Sequence, residues 1–283
     1  MTAYIMALAA AMLYGAADFA GGLSTKRAGT TAVVVVSQAS GFLLLALALP
    51  LFPAASPTRA DLLWGVVAGF SGGIGVALLY RGLAIGTMAV VAPTTAVCAV
   101  AIPVMASIAL GERPSPWVLN GIVLGIIAIV LVSRPAAKSD RGGAGAVVIA
   151  TALGSGVAIG CFLLALARTR ADAGMWPLLV ARSVSVSSFT AVAIVTRQTL
   201  RMPAPVLALT LAAGVGDILA NALYMVAARI GPVSGVVTLS SLYPASTVIL
   251  AWLVLGERLA PWQRVGVAFA LIAIALIVGR GPA

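Results

Sequence analysis

The chain contains itself twice. Leu110 to Trp117 reads LGERPSPW, and 145 residues further on Leu255 to Trp262 reads LGERLAPW. The same offset places Gly15 on Gly160, Gly29 on Gly174, Gly69 on Gly214, Gly86 on Gly231 and Gly121 on Gly266, with no gap. A repeat this long, in a chain this apolar, predicts two related halves embedded in a membrane. The halves are residues 1–137 and 138–283.

Hydrophobic residues make up 62% of the chain and charged residues 8%. A soluble domain carries about 25% charged residues, so lipid must cover much of this surface. The charges punctuate apolar runs of roughly 17–24 residues, the length at which a helix crosses the hydrocarbon core. The runs are 3–22, 32–52, 62–83, 88–110, 117–133, 145–167, 174–196, 205–228, 234–255 and 261–279. They do not alternate polar with apolar, which argues against a β-barrel. The expected fold is an all-α integral membrane protein of ten transmembrane helices, five from each repeat. No basic residue precedes the first run and Asp18 interrupts its end, so it reads as a retained helix rather than a signal peptide.

Other classes lack their residues. There is no His, and Cys98 and Cys161 fall inside spans of different halves as buried small residues. No metal or other cofactor is expected. The formal charge of +10 sits in loops, where it suits anionic lipid headgroups better than nucleic acid.

Five helices per half is an odd number, so the second copy enters from the opposite side and the repeat is inverted. Both termini then share a face. Six Lys and Arg lie on that face, Arg59 and Arg168 among them, and ten on the other, including Lys26 and Lys138. The count alone puts the termini outside.

The two LGER turns, each followed by a Pro-Trp helix start, resemble the drug/metabolite transporter superfamily, and within it the ten-helix EamA group. Leu242-Tyr243-Pro244 through Leu255-Gly256-Glu257-Arg258 to Gly266 is similar to that group's second repeat. Ala92-Pro93 through Gly111-Glu112-Arg113 to Gly121 resembles the first. The resemblance implies secondary transport of small metabolites, often export. It also implies cytoplasmic termini in the inner membrane, against the charge count. Ala17-Asp18-Phe19-Ala20-Gly21, with Lys26 beyond, is similar to the first helix of four-helix small multidrug resistance proteins. There a Glu binds proton and cationic substrate in turn. Asp18 falls on that position, but its counterpart in the second copy is Leu163, so a symmetric acid pair is missing.

An ionisable side chain at membrane depth costs about 2.5–3.5 kcal/mol on insertion scales and marks a candidate site. Asp18, Arg182 and Asp217 qualify, and their repeat partners are Leu163, Ser37 and Gly72. The glycines are duplicated and these charges are not, which separates scaffold from solute contacts. Tyr14, Asp18, Gly21 and Gly22 share a helix face. Asp217, Asn221 and Tyr224 form one polar stripe, which must face the interior or a wet cavity. Arg182 requires a partner, either an Asp or a substrate carboxylate. Pro93, Pro103 and Pro244 are expected to break spans four and nine. Ser240, Tyr243 and Thr247 lie on one face there, ready to satisfy freed carbonyls or a ligand. Glu112 and Glu257 recur in both copies, which favours a structural hairpin over catalysis.

The expected function is a secondary transporter, an exporter of small polar metabolites such as amino acids. Its two halves would rock around a midplane cavity lined by spans one to four and six to nine. No P-loop is present, so a proton or counter-solute gradient would drive it, with Asp18 or Asp217 titrating. A flippase for a lipid-linked metabolite is the alternative. An intramembrane enzyme would need a nucleophile with a base, or a metal cluster, at membrane depth. The expected partners are a small-molecule substrate and the bilayer, with the chain a monomer or weak dimer.

Overall fold

The computed structural model describes residues 1–52, 55–109, 111, 115–133, 142–231, 236 and 239–279. Every regular element among them is helical. In chain order the α-helices with defined bounds are α1 Thr2–Thr25, α2 Thr30–Ala48, α3 Arg59–Ile85, α4 Met88–Ala109 and α5 Pro116–Ser133. The second repeat supplies α6 Gly142–Ala167, α7 Trp176–Val195, α8 Ala204–Ile230, α9 Tyr243–Leu255 and α10 Pro261–Gly279. Eight helices are long and apolar enough to cross a membrane, while α5 and α9 are apolar but shorter.

The prolines act unequally. α4 runs unbroken through Pro93 and Pro103, contrary to expectation. The carbonyl that Pro103 frees is that of Ala99, and α6 packs tightly on it: a Cβ added at Gly160 would stand 3.0 Å from that oxygen. Close support from a neighbouring helix keeps the proline-bearing turn helical. Span nine does break. Ser240 is helical, Ser241 and Leu242 turn, and Pro244 sits in the first turn of α9, where its missing N–H costs nothing.

Packing crosses between the repeats. α3 lies along α6 and α7, and α4 lies along α6. The 145-residue offset turns these into α8 along α1 and α2, and α9 along α1, and those contacts are present too. The two copies therefore exchange elements about an approximate two-fold. They form one bundle of α3, α4, α6 and α7 and another of α1, α2, α8 and α9. α5 and α10 pair with each other and lean on α4. The packed units are thus not the sequence halves expected to rock.

Glycine makes these contacts possible. Gly65, Gly69 and Gly73 repeat every fourth residue along α3, facing Pro177, Ala181 and Ser185 at the same spacing on α7. A Cβ would stand 2.8 Å from the Pro177 oxygen, 2.7 Å from the Ala181 oxygen and 2.7 Å from Ser185 Oγ. Small residues at every fourth position let two backbones approach, the main source of helix association where lipid removes the hydrophobic drive. Gly214, the repeat partner of Gly69, meets the Ser37 carbonyl of α2 in the same way. Cys161 does not match its expected burial. It is exposed on the outer surface of α6, and Cys98 is half-buried with its thiol 3.6 Å from the Leu153 carbonyl.

Local caps fix the helix ends. Thr58 and Asp61 form a capping box at the start of α3. Asp61 also accepts from the Arg170 amide at 2.9 Å, tying α3 to the α6–α7 loop. Gly111 and Gly256, the duplicated glycines of the LGER turns, both have positive φ, 92° and 64°. Only glycine adopts that left-handed stop without strain.

Candidate functional site

Three helices converge on Arg182. α7 holds it with 9% of its surface exposed. Its Nη2 donates to the Asp217 carboxylate of α8, and its Nη1 donates to Gln38 Oε1 of α2. Asn221, one turn beyond Asp217, donates through Nδ2 to the Asp217 carbonyl at 2.8 Å and to its carboxylate at 3.4 Å. A guanidinium cannot shed its proton, so burial demands such partners. α7 belongs to one bundle and α2 and α8 to the other. The ion pair therefore bridges the two packed units. Its Nε, and Ser185 Oγ one turn along α7, have no hydrogen-bond partner among the described residues.

Asp18 on α1 differs. It is half-buried and makes no hydrogen bond or ion pair among the described residues. Asp217, Tyr80 and Tyr243 lie within electrostatic reach of it. Gly21 leaves room for the Tyr80 ring, into which a Cβ would run, and Gly22 likewise faces Leu83. Tyr14 meets Tyr243 edge to face, with ring centroids 6.1 Å apart, and also lies within reach of Asp217 and Arg182. Ionised, Arg182, Asp217 and Asp18 leave one net negative charge, surrounded by tyrosines from α1, α3 and α9.

The remaining residues of the expected site have other contacts. Tyr224 packs against an apolar cluster with Ala3, Ala7, Ala227 and Val236, at the end of its stripe. Ser240 Oγ donates to the Ala7 carbonyl at 3.4 Å and Thr247 Oγ1 to the Gly15 carbonyl at 3.1 Å. Ser246 joins them, donating to Ala11 at 3.0 Å. This face of span nine thus clasps the α1 backbone at every fourth residue.

Two site residues were not singled out in the sequence, Gln38 and Tyr80. Both are polar, lie inside spans and have no polar match of their kind, Gln38 pairing with Ser183 and Tyr80 with Met225. The asymmetry that marked the charges would have found them had it been applied to uncharged groups. Glu257 was read as part of a turn, and its carboxylate in fact accepts from the Met88 and Ala89 amides. Glu112, Arg113, Lys138 and Arg280 lie outside the described residues.

An all-helical, glycine-packed bundle with a polar cluster between two packed units is suited to holding a small solute away from lipid. No curated protein sequence matches the chain. A solved structure titled only "Crystal structure of protein" is similar over 97% of this chain and 95% of its own, with 15% identity and a TM-score of 0.61. That likeness concerns the fold alone. The model of the EamA-like transporter family matches twice, over residues 1–134 and 146–279. The two matches cover both copies of the repeat and both LGER turns, and together with the apolar helices they place the chain: it is a multi-pass membrane protein belonging to the EamA-like transporter family.

Proposed function

We propose that the chain is a secondary active transporter that exports a small polar metabolite, such as an amino acid, across the inner membrane by alternating access. Ten crossings, five per repeat with α5 and α9 completing the eight longer ones, would make the repeats inverted and put both termini on one face, the cytoplasmic one by resemblance to the family. The exchanged bundles, rather than the sequence halves, rock about the polar cluster.

The observation that carries this reading is the contrast inside that cluster. Arg182 is bound from the opposite bundle by Asp217 and Gln38, while Asp18 has no counter-ion among the described residues. Rocking must loosen or remake the bonds of Arg182, so the cluster senses which way the bundles lean. The surplus negative charge calls for one positive charge, a proton or the ammonium of a solute. Competition between the two at Asp18 couples solute movement to a proton gradient. No nucleotide-binding motif is needed for such a cycle.

Reconstitution in liposomes tests it. Labelled amino acids and amines are screened for counterflow, with and without a pH gradient. Counterflow that a gradient accelerates is the expected result, with Asp18→Asn weakening solute binding and losing the acceleration. If Asp18→Asn and Asp217→Asn both leave gradient-driven uptake intact, the site is misplaced. If no solute moves under any gradient, the transport reading fails.

A further inference from the structure

Glu257 stands just past the end of α9, in a turn set by the left-handed Gly256. Its two carboxylate oxygens accept from two successive backbone amides, Met88 and Ala89, each at 3.0 Å. Those are the first two residues of α4, where donors lack partners within the helix and the dipole is positive. A helix is ordinarily capped by its own flanking residues, as Thr58 and Asp61 cap α3. Here the cap comes from the other repeat and the other bundle. The residue in the ordinary position, Thr87, has a capping side chain that is exposed and makes no hydrogen bond among the described residues. α4 therefore has two possible caps, one in use and one in reserve.

We infer that Glu257 is a latch that closes the bundle interface at the end bearing the α9–α10 turn, and that Thr87 takes over the α4 cap when the latch releases. Exchange of one cap for the other keeps the Ala89 amide paired while the bundles separate and leaves that of Met88 to water. The second carboxylate clasp, from Asp61 to the Arg170 amide, lies within one bundle, α3 with the α6–α7 loop. It has no reason to respond to the rocking. The inference rests on the transport reading for its purpose, but its test needs no identified solute.

The test is done on the full chain, with Cys98 and Cys161 replaced by Ala and Asn221→Cys as reporter in the polar cluster. An impermeant maleimide is applied from either side, and labelling of Arg258→Cys in a parallel sample identifies the side that carries the latch. Glu257→Ala is expected to raise the ratio of latch-side to opposite-side labelling about tenfold, a population shift of about 1.4 kcal/mol. Glu257→Gln keeps one acceptor oxygen and raises it less, and it serves should the Ala variant not fold. Thr87→Val removes the reserve cap and lowers the ratio. Asp61→Asn leaves it unchanged. An unchanged ratio in folded Glu257→Ala or Glu257→Gln overturns the latch, as does an equal rise in Asp61→Asn. A rise in Thr87→Val overturns the cap exchange. A shifted ratio, with no solute moved by the parent chain that retains Asn221, would leave the latch standing and sink the transport reading instead.

Discussion

Two helix crossings in this protein occupy equivalent positions and carry different chemistry. Gly69 of α3 packs on α7 at Ala181, and its repeat partner Gly214 of α8 packs on α2 at Ser37. The backbones approach closely in both places, and more closely at Gly214 than at Gly69. Next to Ala181, however, stands Arg182, whose repeat partner is Ser37 itself. Duplication preserved the close approach of the helices at both crossings and left an ion at only one. The scaffold is set by what two backbones need in order to touch. The site is set by side chains that one copy acquired and the other did not.

Removing half of the ion pair should break that contrast most forcefully. Asp217→Ala leaves Arg182 buried with only Gln38 as partner, and loss of one member of a buried pair costs about 3–5 kcal/mol. A large fall in the melting temperature in detergent is expected. Replacing both members, Arg182→Met with Asp217→Leu, should recover most of that stability, because the pair carries its own desolvation cost. A double variant no more stable than the single would mean that the pair holds the bundles together rather than serving the solute. Transport should be lost in both.

The glycines come next. Gly69→Ala and Gly214→Ala each force a methyl group against a backbone carbonyl, with about 1–3 kcal/mol expected from overpacking. The obstruction is backbone in each case, and the tighter approach at Gly214 predicts the larger loss there. Thermal unfolding of the two variants checks this. A loss at Gly69 larger than that at Gly214, or none at either, would show that close backbone approach does not set the scaffold.

The same division explains what could be read from the residues alone. The helical runs and their order, the positions of the packing glycines and the LGER stops follow from hydrophobic runs and repeated glycines, which are local or duplicated signals. Asp18, Arg182, Asp217 and Asn221 were legible because charge and amide are rare at membrane depth. The exchange of α3 and α4 with α8 and α9 between bundles was not, because no local pattern says which helix a glycine will meet. For the same reason the partner of Glu257 could not be foreseen. It lies 169 residues away at the start of α4, and only the fold brings the two together. Ser240 and Thr247 were visible as polar groups, but whether a hydroxyl turns to a solute or to a neighbouring carbonyl depends on the distance to the next helix.

That distance can be tested more gently. Thr247→Val removes the hydrogen bond to the Gly15 carbonyl while keeping the shape of the side chain. Side-chain hydrogen bonds between membrane helices average about 0.6 kcal/mol, so a small destabilisation with transport retained is expected. Abolished counterflow in a normally stable Thr247→Val protein would return the residue to the solute site.

The smallest effect on stability, and the sharpest on function, belongs to Asp18. Asp217 and Asp18 are both carboxylates at the bundle interface, and among the described residues only the first has a bonded cation. An unpaired charge at membrane depth is a burden of about 2.5–3.5 kcal/mol on insertion scales, relieved in part by water or by a bound proton. Asp18→Asn removes the charge and breaks no hydrogen bond present among the described residues. The variant should therefore melt no lower than the parent, unlike Asp217→Ala. It should also lose the response of solute flux to a pH gradient, because no group at that position can exchange a proton. Melting curves and gradient-driven flux, measured on the same preparations, separate the two aspartates. If Asp18→Asn is as destabilising as Asp217→Ala, Asp18 is a structural partner of the bundle and the net charge assigned to the site is wrong. If it melts like the parent and still couples to the gradient, the proton must enter at Asp217, and the bond between Asp217 and Arg182 would then have to open in every cycle.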